Sequence, residues 1–264
     1  SGALENNEDT GQLFVKDSIL FNYEMNPILY ATANEFRQYT NSSGGSEVDL
    51  IRKTTIEIHL NDVYEKYSYI GSKSLSTQQD VEDFGNENHW GISGTLYLSS
   101  TISSDIHDLT PLSSIKNYGS LKISGIDLIT SLNGITIDSL NQSITLSDNS
   151  LLVNVDALSE LTKVNKDLII SHNNSLQSLS GIENITEVIG DVKITGHSSL
   201  LEINGLNELQ NLSGDLIIFN NGLLSNLCGI ETLINNNGLE GDYIVEENWY
   251  NPSQQDILDG NCSN

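Results

Sequence analysis

Asp167, Asp191 and Asp215 stand 24 residues apart, and Asp242 continues the line. Carboxylates repeated at one interval have two chemical uses. They can bridge a calcium ion, which is bound by oxygen ligands, or they can accept backbone N–H bonds where a turn enters a strand. The second use is the expected one, and no cofactor is called for, calcium being the ion that this row could hold. Asn149, Asn173 and Asn221 form a second row, with His197 in the same slot, and asparagines repeated in this way satisfy the backbone groups of turns. His172 and His197 fall on adjacent repeats but one residue out of register, which argues against a metal pair. His59, His89 and His107 are isolated.

Catalytic constellations are missing. The chain has no Gly-x-Ser-x-Gly elbow, no phosphate loop of the Walker type and no His-Glu-x-x-His pair. Abstracting a proton beside a uronate carboxylate needs a base and neutralising cations. Residues 94–264 contain no Arg, and their Lys residues are Lys116, Lys122, Lys163, Lys166 and Lys193. Hydrolysis by two carboxylates has no pair that stands out by position. The expectation is a protein that is not an enzyme.

The elements that position these rows are legible as a repeat. Segments beginning at Leu121, Ile144, Leu168, Val192 and Leu216 follow one another at intervals of 23, 24, 24 and 24 residues. Each opens with two apolar residues in alternation, such as Leu168 and Ile170, which reads as a short strand. Apolar residues then recur every three, at Leu176, Leu179, Ile182, Ile185 and Val188, with Gly181 between. A period of three fits neither a strand nor a long amphipathic helix, but suits a chain turning corners around a narrow core. One such coil cannot bury its own inner face, so copies must stack, with strands ~4.8 Å apart.

The pattern Gly-Asp-Leu-x-Ile, Asn-x-x-Leu, Leu-x-Gly-Leu, seen in Gly190 to Leu206 and Gly214 to Ile230, resembles the receptor L-domain type of leucine-rich right-handed β-helix. Ser76 to Gly85 and the closing Asn251 to Asp256 and Asp259 to Cys262 resemble segments of Bacteroidetes surface proteins of that type. The resemblance covers roughly residues 74–264. It implies an all-β fold, a right-handed single-stranded β-helix of about 24 residues per coil with capping segments, and non-catalytic binding or adhesion at a cell surface. The family carries no shared catalytic motif.

A stack of coils exposes apolar core at both ends unless it is capped. Ser76 or Thr77 can N-cap a short helix with Gln79 or Asp80 at its third position, placing Val81 and Phe84 over the first coil. Pro252 precedes an expected short helix at 253–259. Cys228 lies at a corner of the last full coil and Cys262 in the closing segment, so a disulfide between them would pin the C-terminal cap and agree with export. Residues 1–11 are polar and acidic and read as a disordered tether. Residues 12–73 do not follow the repeat and read as a β-rich extension. There, Leu13–Val15 and Ile19–Tyr23 are expected strands, Thr32–Tyr39 a capped helix, and Ile56–Leu60 with Val63–Ile70 a hairpin across Asn61-Asp62.

Charge narrows the partners. The 264 residues carry 36 Asp plus Glu against 11 Lys plus Arg, a net −25. Such a field repels phosphate backbones and anionic headgroups, so nucleic acid and membrane surfaces are poor partners. No apolar run approaches the ~20 residues that span a bilayer. The expected protein is exported, its signal removed, and cell-surface or lipid-anchored. It would recognise a macromolecular ligand, protein or glycan, along the regular face. A carbohydrate-binding or carbohydrate-cleaving surface protein is the alternative, and a structural spacer a further one.

Overall fold

The structure, a computed structural model, describes residues 68–99 and 105–264, together with four strands nearer the N-terminus. The chain divides into two compact units, Ser1–Glu65 and Lys66–Asn264. In the first unit β1 (Leu4–Asn6), inside the stretch read as a tether, pairs antiparallel with β2 (Leu13–Val15). β3 (Ile28–Thr40) pairs antiparallel with β4 (Ser46–His59), with a register shift between Glu35 and Phe36. This corrects one expectation. Thr32–Tyr39 is strand and not helix, because the capping cue at Thr32 and Glu35 is local, whereas β4 offers a ladder partner along the whole of β3. Ile56–His59 pairs with Ile28–Ala31, and the expected turn at Asn61-Asp62 lies outside the described residues. Ile19–Tyr23 lies outside the described residues.

The second unit begins before residue 74. β5 (Ser68–Tyr69) and β6 (Lys73–Leu75) both pair with β7 (Gly91–Ser99), α1 (Gln78–Asn86) lying between β6 and β7 in sequence. There follow β8 (Asn117–Ser124), β9 (Ser139–Leu140), β10 (Ile144–Ser147), β11 (Lys163–Val164), β12 (Leu168–Ser171), β13 (Glu187–Val188), β14 (Val192–Thr195), β15 (Asn211–Leu212), β16 (Leu216–Phe219), α2 (Glu231–Asn235), β17 (Tyr243–Glu246) and α3 (Gln254–Leu258). One ten-stranded parallel sheet runs β17-β16-β14-β12-β10-β8-β7-β5, with β6 on β7 and β9 on β8. A smaller parallel sheet runs β11-β13-β15. The fold of this unit is therefore mostly parallel β-sheet with few helices.

In-register pairing explains the repeat. Ile144, Leu168, Val192 and Leu216 are aligned on successive strands, as are Leu146, Ile170, Ile194 and Ile218, and all are buried. Between strands the N–H of Leu176 bonds to Asn173 O, that of Ile182 to Leu179 O and that of Ile185 to Ile182 O. The residue that closes one three-residue turn thus helps to open the next, which is why apolar residues recur every three and all face inward. Leu176, Leu179, Ile182, Ile185 and Val188 are fully buried. The glycine slot has a steric cause, since a Cβ on Gly205 would run into the Leu179 carbonyl of the preceding repeat.

Both ends are covered. Thr77 caps α1 in a capping box with Asp80, and Val81 and Phe84 are buried beneath it. Ser253 caps α3 in a capping box with Asp256, and Ile257 is buried. Cys228 and Cys262 form a disulfide, with Cα atoms 4.8 Å apart. Among the described residues no helix is long and apolar enough to cross a membrane.

Candidate functional site

Residues that alternate with the buried pairs stand on the other face of the large sheet in three columns. The first column holds Ser72, Thr95, Ser120, Ser143, Asp167, Asp191, Asp215 and Asp242. Its chemistry is uniform along most of its length. Ser72 Oγ accepts from Thr95 N at 2.9 Å, Ser120 Oγ from Ser143 N at 3.4 Å and Ser143 Oγ from Asp167 N at 3.3 Å. Asp167 Oδ1 then accepts from Asp191 N at 3.1 Å, Asp191 Oδ1 from Asp215 N at 2.9 Å and Asp215 Oδ1 from Asp242 N at 2.8 Å. Serine and aspartate do the same work here, each receiving the N–H that enters the next strand. The glycine before Asp215 and Asp242 has a steric cause, because a Cβ on Gly214 or Gly241 would lie within 2.6 Å of both the preceding glycine's carbonyl and the preceding aspartate's Oδ1.

The aspartates also hold a cation of the chain's own. Lys193 Nζ lies 2.8 Å from Asp191 Oδ2. That contact, together with the Asp215 N–H, holds the Asp191 carboxyl below the usual carboxylate range. Asp191, Asp167 and Asp215 together raise the Lys193 ammonium above its ordinary value.

The middle column is Ser74, Tyr97, Lys122, Thr145, Ile169, Lys193, Ile217 and Ile244, aligned by the strand register. Tyr97 is exposed, whereas Ile169 and Ile217 are half-buried. The third column is Ser99, Ser124, Ser147, Ser171, Thr195, Phe219 and Glu246, of which Ser147 and Ser171 are buried, with Ser124 and Ser147 hydroxyls 2.8 Å apart. The face changes character along its length. On β6, β7, β8 and β10 it bears hydroxyls and Lys122, and from Asp167 onward it is edged by carboxylates beside Ile169, Lys193, Ile217 and Ile244.

The asparagine row is internal. Asn149, Asn173, His197 and Asn221 are fully buried. Asn173 Oδ1 accepts from Asn149 N at 3.0 Å while its Nδ2 donates to Leu146 O at 3.0 Å, and Asn221 serves His197 N and Ile194 O in the same way. Asn248 continues the row, accepting from Asn221 N and donating to Ile218 O. It lies 27 residues after Asn221, the spacing lengthened by the α2 segment, so strict 24-residue counting misses it. The signal that finds it is Asn248 following the strand Tyr243–Glu246 at the same offset as Asn221 follows Leu216–Phe219.

His197 departs from the pattern. Its Nδ1 and Nε2 each lie 3.1 Å from a carbonyl oxygen, of Asn173 and Ile170 respectively. A neutral ring donates through one nitrogen only. Burial nevertheless dominates over the two carbonyls and, with His172 nearby, holds the His197 pKa below its usual value. The unfolded chain therefore binds this proton more readily than the folded one. Stability from His197 is complete above the unfolded value of about 6.5 and falls as pH drops from there toward the lowered folded value. In melts from pH 7.5 to pH 5, the difference in melting midpoint between His197→Asn and the parent is expected to widen in favour of the variant as pH falls. A constant difference would remove His197 from the acid response. His172 is exposed and aligned with Gly196, not with His197, so the two histidines do not share a site.

Two other groupings offer little chemistry. Cys228, Glu231 and Cys262 lie within 4.8 Å of one another, but the two sulfurs are bonded together and leave no thiolate to ligate a metal. A shallow polar cleft of about 190 Å³ opens between residues 138–141 and 160–165, room for about six waters. Its Lys163 is paired with Glu187 at 2.9 Å.

No family model, no curated protein and no solved structure matches this chain.

Proposed function

We propose that the Lys66–Asn264 unit is a right-handed β-helix of receptor L-domain type and that the protein is a non-catalytic binding protein, exported and held at a cell surface, which recognises a macromolecule through the outward face of its large sheet. The observation that carries this reading is the division of labour between the two faces. Inward positions are consumed by a continuous aliphatic core. Outward positions form in-register columns with Tyr97 exposed among them, a long regular surface of the kind that suits an extended ligand. The disulfide supports the location, since such bonds persist in oxidising compartments. The reading assigns the aspartate row to backbone bonds and Lys193.

The test is binding of the purified chain to immobilised glycans and extracellular matrix proteins, with and without millimolar calcium. Saturable binding to one class is expected, and failure across the whole panel would leave a spacer as the better account. Calcium and chelator are expected to leave both binding and melting midpoint unchanged. A calcium-induced rise in the midpoint, abolished in Asp191→Ala, would turn the aspartate row into a metal site.

A further inference from the structure

We propose that the N-terminal half of the outward sheet face binds an uncharged glycan chain, with Tyr97 as the stacking platform and Ser74, Ser99, Ser124 and Thr145 as its hydrogen-bonding neighbours. This rests on the binding reading above and names the ligand class.

The first column shows that the fold does not choose between serine and aspartate. Both supply the oxygen that the next strand's N–H requires. The absence of carboxylates from the outward positions of β6, β7, β8 and β10 is therefore a feature of the surface and not of the ladder. It stands out in a chain with 36 acidic residues and a net charge of −25. An uncharged polymer docking there desolvates no carboxylate, whereas on the half beyond Asp167 it would strip water from a row of carboxylates and from the Asp191–Lys193 pair.

The groups present match a sugar in kind. Hydroxyls both donate and accept, as sugar hydroxyls do. The sheet spaces them at ~4.8 Å between strands and ~6.8 Å along a strand, a flat array over which an extended chain can lie. Tyr97 stands within this array, 37% exposed, in register with Ser74 on one side and Lys122 on the other. Its ring offers an apolar face to the C–H face of a pyranose and its hydroxyl a polar edge. A polyanion meets only Lys122 on this surface and the repulsion of the whole chain behind it. A basic protein would be drawn instead to the half edged by Asp167 to Asp242.

The test is titration of the full chain with uncharged probes (a β-glucan, a mannan and a xylan), an acidic one (polygalacturonate) and a basic one (polylysine). One uncharged glycan is expected to bind, with little dependence on salt. Tyr97→Ala and Thr145→Glu are each expected to weaken that binding at least tenfold while circular dichroism and melting midpoint hold. Ile217→Glu, on the other half, is expected to leave it unchanged. If the uncharged glycans do not bind while polylysine or a matrix protein does, the glycan assignment is overturned and the binding reading survives. Silence toward every probe and the matrix panel overturns both. Glycan binding untouched by Tyr97→Ala and Thr145→Glu overturns the assignment to this face.

Discussion

Asn173→Ala is expected to lower the free energy of unfolding by about 3–5 kcal/mol, a large loss for one truncation of a small polar side chain. The buried amide is the partner of two backbone groups that have lost access to water. Its removal leaves Asn149 N–H without its side-chain acceptor, takes from Leu146 C=O the donor it has beyond the strand ladder, and removes the contact with Asn149 Nδ2. The unsatisfied N–H costs about 1–3 kcal/mol and the two other lost hydrogen bonds about 1 kcal/mol each, which sets the total. The neighbouring Asn174→Ala serves as control, because Asn174 is exposed, and it is expected to stay within about 0.5 kcal/mol of the parent. Urea denaturation followed by circular dichroism gives both numbers. A loss below about 1 kcal/mol for Asn173→Ala would mean that the repeat relaxes enough to pair these groups otherwise or to admit water.

The same residues show why some of the molecule is readable from its sequence. Leu168, Ile170, Leu176 and Leu179 are legible because stacking forces the same inward position to be apolar in every repeat, so periodicity carries the information many times over. The asparagine row is legible for a related reason, since each Asn answers the same pair of backbone groups. Asn248 escapes because α2 lengthens one interval, and a ladder tolerates such an insertion as long as the strand register is kept. The equivalence of Ser143 and Asp167 is not legible in the sequence, for the opposite reason. Two residue types with different charge perform one hydrogen-bonding task, and charge draws the eye to metal chemistry that the geometry does not require. Thr32–Tyr39 carries helix cues that are local, while its structure is set by a partner strand beyond residue 45. Ligand identity has no comparable redundancy. Tyr97 occurs once, and nothing in a repeat pattern distinguishes it from its neighbours.

Removing the disulfide with Cys228→Ser and Cys262→Ser together is expected to cost about 4 kcal/mol, the loop entropy released when a link across a separation of 34 residues is lost. For a unit of this size that corresponds to a fall of roughly 10 °C in melting midpoint. The loss is expected to be local before it is global. The C-terminal segment is otherwise tied by Leu227 N–H to Cys262 O at 2.9 Å, by Asn264 N–H to Ser225 O at 3.1 Å and by the Tyr250 hydroxyl to Asn261 O at 2.9 Å. These bonds lie at the rim, and only Ile257 and Cys262 bring buried side chains to α3 and the tail. Limited proteolysis under reducing conditions should therefore cut beyond residue 250 while the strands β8 to β16 stay protected, and hydrogen exchange should quicken first at Leu227. If reduction leaves both the midpoint and the cleavage pattern unchanged, the cap is held by Ile257 and the rim bonds alone. The bridge would then contribute resistance to extracellular chemistry and not to unfolding, and the free energy that closes the C-terminal end would have to come from the packing of α2 against α3.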